Sequence, residues 1–269
     1  MRTREYGQFC GLARAMEVIG QRWTVLVLRD LLVGPRRYSD LLAGLPGIPT
    51  NVLAGRLKEL EADGLVVREA RTGADRSVVY RATPRTEELG PALDALARWG
   101  AAGMREPREG EVVTEASLVG ALRVAAQGGR PSGARGPVIY EVRVGSAVVH
   151  ATVTGGQVSV EPGGHPSPDL VAVGGPGFRD VLAGVLEPDA AVAAGAVELI
   201  GNRSLFADFT ATFTVPYSDA LRSSGPMVPS TSGSSYVQGV VRDGKFARSG
   251  SRVGRGRAPS GRSRGGDGA

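Results

Sequence analysis

Asn51, Ala54, Gly55 and Lys58 fall on one side of a helix-spaced run, opposite an apolar stripe of Leu53, Leu57 and Leu60. An asparagine amide donates and accepts at once, as the edge of an adenine requires. A lysine ammonium reaches a guanine or a phosphate. Ala54 and Gly55 leave the surface between those two groups almost bare, so a recessed partner can come close. The ordinary alternative is a solvated face with a weak spot, since a mid-helix glycine costs about 1 kcal/mol relative to alanine. Thr50 precedes the run as its expected N-cap. Arg56, three residues before Glu59, is either half of a helix ion pair or a phosphate contact.

The elements around this face are short and clearly punctuated. Leu12, Ala15, Met16 and Ile19 predict an amphipathic helix ending near Gly20, and the apolar run Trp23–Leu32 predicts a largely buried one, stopped by Gly34-Pro35. Tyr38, Leu41 and Leu42 mark a brief helix, whose start would place Arg36 and Arg37 against phosphate. Gly64 reads as a left-handed stop after Lys58's helix. Two Val/Tyr-rich runs, Leu65–Ala70 and Ser77–Ala82, flank a turn and predict a hairpin, with Arg68, Arg71, Arg76 and Arg81 making it cationic. Such a hairpin attracts phosphate without reading sequence, and does so in a salt-sensitive way. Leu89, Leu93, Leu96 and Gly100, with Ala92 and Trp99 beside them, predict a final apolar helix over Thr86–Met104, suited to pairing with a second copy.

A helix, a turn, a second helix and a basic hairpin in this order resemble the HxlR-type winged helix-turn-helix regulators of bacteria. The resemblance covers about residues 8–104. It is carried jointly by Cys10, IGQRWT at Ile19–Thr24, GPRRYSDL at Gly34–Leu41, and NVLAGRLKELEADGLV at Asn51–Val66. It implies a homodimer, formed through the first helix and the 86–104 helix, that binds double-stranded DNA and regulates transcription. Thr50, Asn51 and Lys58 would face the groove, with Arg36, Arg37, Arg56, Arg71 and Arg76 on the flanks. It also implies thiol sensing at Cys10, which stands near Arg4 and Arg14; the alternative is a small buried apolar residue. Two departures stand out: Pro49 replaces a usual capping Ser or Thr, and RATPRTEELG replaces the usual approach to the last helix.

Beyond a polar linker at 106–112, Glu115–Ala126 predicts a helix, and Val138–Val144, Ala147–Val153, Gln157–Glu161 and Leu170–Val173 predict strands of a meander. Phe178–Leu186 and Asp189–Ala194 predict helices, Val197–Ile200 a strand, and Asn202–Phe213 a closing helix. The stretch from Asp169 to Phe213 resembles the end of the sterol-carrier (SCP2-type) domain: a helix and glycine turn, an Ala-rich helix, a strand between spaced glycines, then an apolar helix. That resemblance implies a tunnel for an apolar small-molecule ligand, with Leu182, Val185, Leu205, Phe206 and Phe209 as candidate lining; the alternative is that they fill a core. His150 and His165 are expected to lie far apart, with no Cys or carboxylate partner at metal-ligand spacing, so no metal and no cofactor is expected. With no nucleophile-base pair and no glycine-rich phosphate loop, no enzyme is expected either.

The totals agree. A hydrophobic content of 42% supports real cores. No run of about 18 apolar residues implies a membrane span. Cys10 is the single cysteine, so no internal disulfide forms, and with no apolar leader the expected location is cytoplasmic. The net charge of +5 divides into a basic front, an acidic middle and a basic tail. The expected architecture is α+β: a winged helix-turn-helix domain at 8–105, an SCP2-like domain at 115–215, and a disordered Gly/Ser/Arg-rich tail at 220–269. The competing reading is a lipid or small-molecule carrier whose front domain only dimerises.

Overall fold

The structure, a computed structural model, describes residues 5–70, 77–104, 108–128, 136–175 and 177–215. The expected tail lies outside the described residues.

The front begins with α1 (Gly11–Ile19) and α2 (Thr24–Val33). Only Ala13 and Ile19 of α1 are buried, and Leu12, expected on the apolar stripe, is 69% exposed. Helix α2 is the centre of the front core, with Val27, Leu28 and Leu31 almost wholly buried. Asp30 lies among them, bonded through Oδ1 to the Arg29 guanidinium at 2.7 Å. Its carboxyl is pushed up from its ordinary value by burial, against the opposing pull of Arg29 and Arg36. A Cβ at Gly44 would stand 2.8 Å from Asp30 Oδ2, so that glycine makes room for the carboxylate.

Arg36 and Arg37 do not begin the short helix. They form a two-residue strand, β1 (Arg36–Arg37), and α3 (Tyr38–Gly44) starts after them. Backbone pairing of Arg36 with Tyr80 and of Arg37 with Val79 draws them into the hairpin sheet instead. A turn with Gly47 at φ +83° follows, and buried Leu45 and Ile48 pin it to the core. Helix α4 (Thr50–Ala62) then lays Leu53, Leu57 and Leu60 on that core. Its N-cap is Pro49, not Thr50, because the Pro49 carbonyl receives the N–H of Val52 and of Leu53, making Thr50 the first helical residue. At the other end Leu65 N–H bonds to Leu60 O and Gly64 N–H to Glu61 O, with Gly64 at φ +70°. This Schellman-type closure is what the Gly-Leu pair predicts.

Strands β2 (Val66–Ala70) and β3 (Val78–Ala82) pair antiparallel, giving the sheet order β1-β3-β2. The long final helix is instead broken into α5 (Pro84–Glu87) and α6 (Gly90–Ala102). Pro91 in the first turn of α6 has no N–H to continue a helix from α5. The Thr86 hydroxyl donates to Leu65 O at 2.6 Å and ties α5 to the hairpin.

The second half opens with α7 (Glu115–Gly128). Then come β4 (Val138–Val144), β5 (Ala147–Thr154), β6 (Gln157–Pro162), β7 (Leu170–Gly174), α8 (Phe178–Leu182), α9 (Pro188–Ala193) and β8 (Val197–Gly201). A 3-10 turn, Arg203–Leu205, leads into α10 (Phe206–Thr212). The sheet order is β6-β5-β4-β7-β8, so it is not the plain meander expected: β7 crosses over and lies parallel to β4. The alternation of β5 shows why one face is dry. Ala147, Val149, Ala151 and Val153 are buried, while Val148, His150 and Thr152 between them are half-exposed. The helices pack on the dry face around Tyr140, Phe206, Phe209 and Phe213.

Front and rear have separate hydrophobic clusters. Backbone contacts nonetheless join residues 1–224 into one unit, because α7 packs on both α2 and α6. Val33 and Ala101 of the front contribute to the rear core. Two ion pairs cross the seam, Arg36 to Glu115 at 3.0 Å and Arg123 to Asp94 at 2.8 Å, and Arg179 Nη2 donates to the Met104 carbonyl at 2.9 Å.

Candidate nucleic-acid interface

With its leucine stripe buried, α4 presents Thr50, Asn51, Ala54 and Lys58 to solvent, and Gly55 is half-exposed among them. A Cβ built at Gly55 meets no atom of the described residues within 4 Å. Nothing in that part of the protein therefore requires glycine there. The Tyr38 hydroxyl donates to the Thr50 carbonyl at 2.6 Å, so α3 fixes the angle at which α4 leaves the turn. At the far end the Arg85 guanidinium donates to the Asp63 carbonyl and the Thr83 hydroxyl to Gly64, satisfying carbonyls that the last turn leaves open. The face is thus held at both ends by neighbouring elements.

The candidate arginines are placed differently. Arg37 is exposed at the N-cap of α3, where its backbone N–H donates to Asp40. Arg36 is half-buried and turned away toward Glu115. Arg56 is mostly covered and paired with Glu59 at 2.5 Å, the helix ion pair among the two alternatives. In the hairpin, Arg68 is exposed, and Arg81 is bonded across the strands to Glu69, whose carboxyl it holds below the ordinary value. Arg71 and Arg76 fall within 71–76, outside the described residues.

Cys10 is exposed and stands at the N-cap position of α1. The backbone N–H groups of Ala13 and Leu12 hold its thiol below the ordinary value, which favours the thiolate. Around it, Tyr6, Phe9 and Leu12 are exposed apolar residues, as are Leu96 and Trp99 on α6.

The rear half scatters its candidate ligand residues. Leu182 and Phe209 are buried in the core, Leu205 is half-buried against it, and Val185 is 57% exposed and lines nothing internal. Val185 follows a turn with Gly184 at φ +67°, which ends α8 early and carries the side chain outward. Phe206 alone of the five borders a groove of about 410 Å³, with Pro188, Val192, Leu199, Arg203 and Ser204. In the rear core the Tyr140 ring packs on Phe209 and Phe213; its buried hydroxyl has no hydrogen-bond partner among the described residues, and burial pushes it up to about 12. The two histidines are not far apart. His150 on β5 and His165 on the crossover loop have ring centroids 5.4 Å apart, because Glu141, next to His150 across the strands, accepts the His165 backbone N–H at 2.8 Å. No group of three or more His, Cys, Asp or Glu side chains among the described residues could hold a metal ion.

Two features that position the site have no signal in the local sequence. The Tyr38 bond to Thr50 crosses the turn between two helices, and the Arg36–Glu115 pair spans 79 residues.

Two helices joined by a turn, with an adjoining three-stranded sheet, make this front half a winged helix-turn-helix. The HxlR-like helix-turn-helix family matches residues 18–107. The HTH-type transcriptional regulator YkvN of Bacillus subtilis is 42% identical over 91 residues, 34% of this chain and 77% of its own. The HTH-type transcriptional regulator sll1512 of Synechocystis is 35% identical over 96 residues, 36% of this chain and 71% of its own. A solved structure of the redox regulator HypR in its oxidised form is similar at 28% identity over 36% of this chain and 99% of its own, with a TM-score of 0.34. The chain belongs to the HxlR-like helix-turn-helix family and is a transcriptional regulator of that type.

Proposed function

We propose that the chain binds duplex DNA as a two-fold dimer, with α4 of each copy in the major groove. Asn51 and Lys58 reach base edges or phosphate, Thr50 contacts the backbone at the helix start, and Arg37 with the wing arginines neutralises flanking phosphates. The observation that carries this reading is the α4 face, where a half-exposed glycine with open space above it stands between an amide and a cation. Dimerisation runs through α1 and α6, supported by the exposed apolar side chains of Leu12 on α1, Phe9 just before it, and Leu96 and Trp99 on α6. A pair related by two-fold symmetry places its reading helices about one DNA turn apart. The test is selection of duplexes from a random-sequence pool, followed by footprinting. The reading requires two protected major-groove segments about ten base pairs apart; recovery of random sequence opposes it.

Two inputs modulate this regulator. One is thiol chemistry at Cys10, supported by its exposure and its backbone N–H partners. The other is an apolar small molecule in the rear half, which we read as SCP2-like. Its order of α8, α9, β8 between Gly195 and Gly201, and aromatic α10 is the order that resemblance implies. The groove bordered by Phe206, Val192 and Leu199 supports an apolar ligand there. Lipid mass spectrometry of the purified chain tests it. A carrier whose front half only dimerises predicts co-purifying lipid with no sequence-selective DNA.

A further inference from the structure

The geometry points to an internal lock on DNA binding: Glu115 of the rear half occupies Arg36 in the place of a phosphate. Arg36 stands on β1 directly before the exposed N-cap of α3, on the side of the front half that the reading above sets against the duplex. Its Nη2 donates to Glu115 Oε2 at 3.0 Å, and both side chains are largely withdrawn from solvent, 23% and 34% exposed. A carboxylate and a phosphate present the same kind of anionic oxygen to a guanidinium. While the pair holds, Nη2 of Arg36 and its charge are given to Glu115 and not to a phosphate.

Glu115 is not a wandering surface carboxylate. It is the first residue of α7, whose start is fixed by a reciprocal cap: Ser117 N–H donates to Thr114 Oγ1 at 3.2 Å, and Thr114 N–H to Ser117 Oγ at 2.8 Å. The body of α7 is seated by the Arg123–Asp94 pair and by packing on α2 and α6. Arg36 therefore meets a carboxylate whose position reports where α7 sits. Asp30, a second carboxylate within reach of Arg36's charge, is already held by Arg29. When the first turn of α7 shifts, Arg36 is released toward the duplex. The rear half thus controls DNA affinity through one ion pair, without a change in the reading helix.

This inference rests on the proposal that the front half docks on DNA. It is tested with the full chain and a duplex selected by the wild-type protein, measuring affinity by fluorescence anisotropy between about 50 and 200 mM salt. Glu115→Gln keeps the side chain's shape and removes its charge. Each further phosphate neutralised steepens the slope of log K against log salt by about 0.9. With one released arginine on each of two chains, the variant loses about tenfold more affinity than wild type over that fourfold salt range. The double variant Glu115→Gln with Arg36→Gln loses this steepening. Mere removal of a negative charge would instead raise affinity equally with and without Arg36. If wild type binds with a normal salt slope and Glu115→Gln leaves that slope unchanged, the lock is overturned while the docking reading stands. If wild type shows no salt-dependent DNA binding, both fall. Circular dichroism of each variant establishes that it is folded.

Discussion

Gly55→Ala separates what the fold needs from what the partner needs. Gly55 lies in the interior of α4, with helical backbone and no atom of the described residues within 4 Å of an added Cβ. In the free protein alanine therefore meets no clash and gains the full difference in helix propensity, about 0.8–1.0 kcal/mol. For a unit of this size that raises the melting temperature by about 2–4 °C. On the duplex the sign reverses. If the glycine lies against base edges, the methyl group enters a packed interface, where overpacking costs roughly 1–3 kcal/mol, or about 5- to 150-fold in affinity per half-site. Thermal unfolding by circular dichroism and anisotropy on a selected duplex measure the two effects on one sample. A variant that is more stable and binds equally well would show that the glycine is an accident of a solvated face. A variant that is less stable would show that the open space above Gly55 is wrong.

Other outcomes follow from the same geometry. Replacing Leu96 and Trp99, which are 52% and 79% exposed, with Asp converts a sedimenting dimer to a monomer and weakens DNA binding, with melting of the monomer little changed; a dimer that persists refutes the α1/α6 interface. Cys10→Ser retains DNA binding in reducing buffer but loses release by peroxide or quinone, and in wild type the alkylation rate of Cys10 rises at a pH below the ordinary thiol value. Asp30 titrates higher folded than unfolded, so the stability it contributes is present below its unfolded value and lost as pH rises through its folded one. Asp30→Asn removes that loss, and its ΔG advantage over wild type in urea titrations shrinks as the pH is lowered from neutral into the carboxylate range; an advantage that grows toward acid contradicts the assignment.

The exposed side of α4 was legible because it depends on one helix: the leucines at 53, 57 and 60 fix which side is buried, and the opposite side follows. The same holds for β4 and β5, whose alternating valines set their limits to within a residue. Where a residue's partner is distant in the chain, local pattern carries no information. Arg36 reads as the start of the short helix, a place to grip phosphate, but its strand pairing with β3 and its ion pair with Glu115 depend on residues far along the chain. His150 and His165 looked unrelated because only the strand pairing, with Glu141 between them, brings them together. Arg56 shows the opposite case, since its partner Glu59 is one helical turn away and was visible from spacing alone. The break between α5 and α6 was written in Gly90-Pro91, but the apolar period running through it is stronger than the signal that interrupts it.

The central claim is that the Asn51/Lys58 face of α4 reads DNA sequence. Its most direct test is the discrimination between a selected duplex and a scrambled one of equal length, measured for wild type and for Asn51→Ala with Lys58→Ala. Both residues are exposed on the side of α4 opposite its buried leucines, so the variant stays folded and keeps its salt-sensitive attachment to either duplex. Its preference for the selected sequence falls by roughly tenfold or more. A variant that still prefers the selected duplex as strongly as wild type would mean that another surface does the reading.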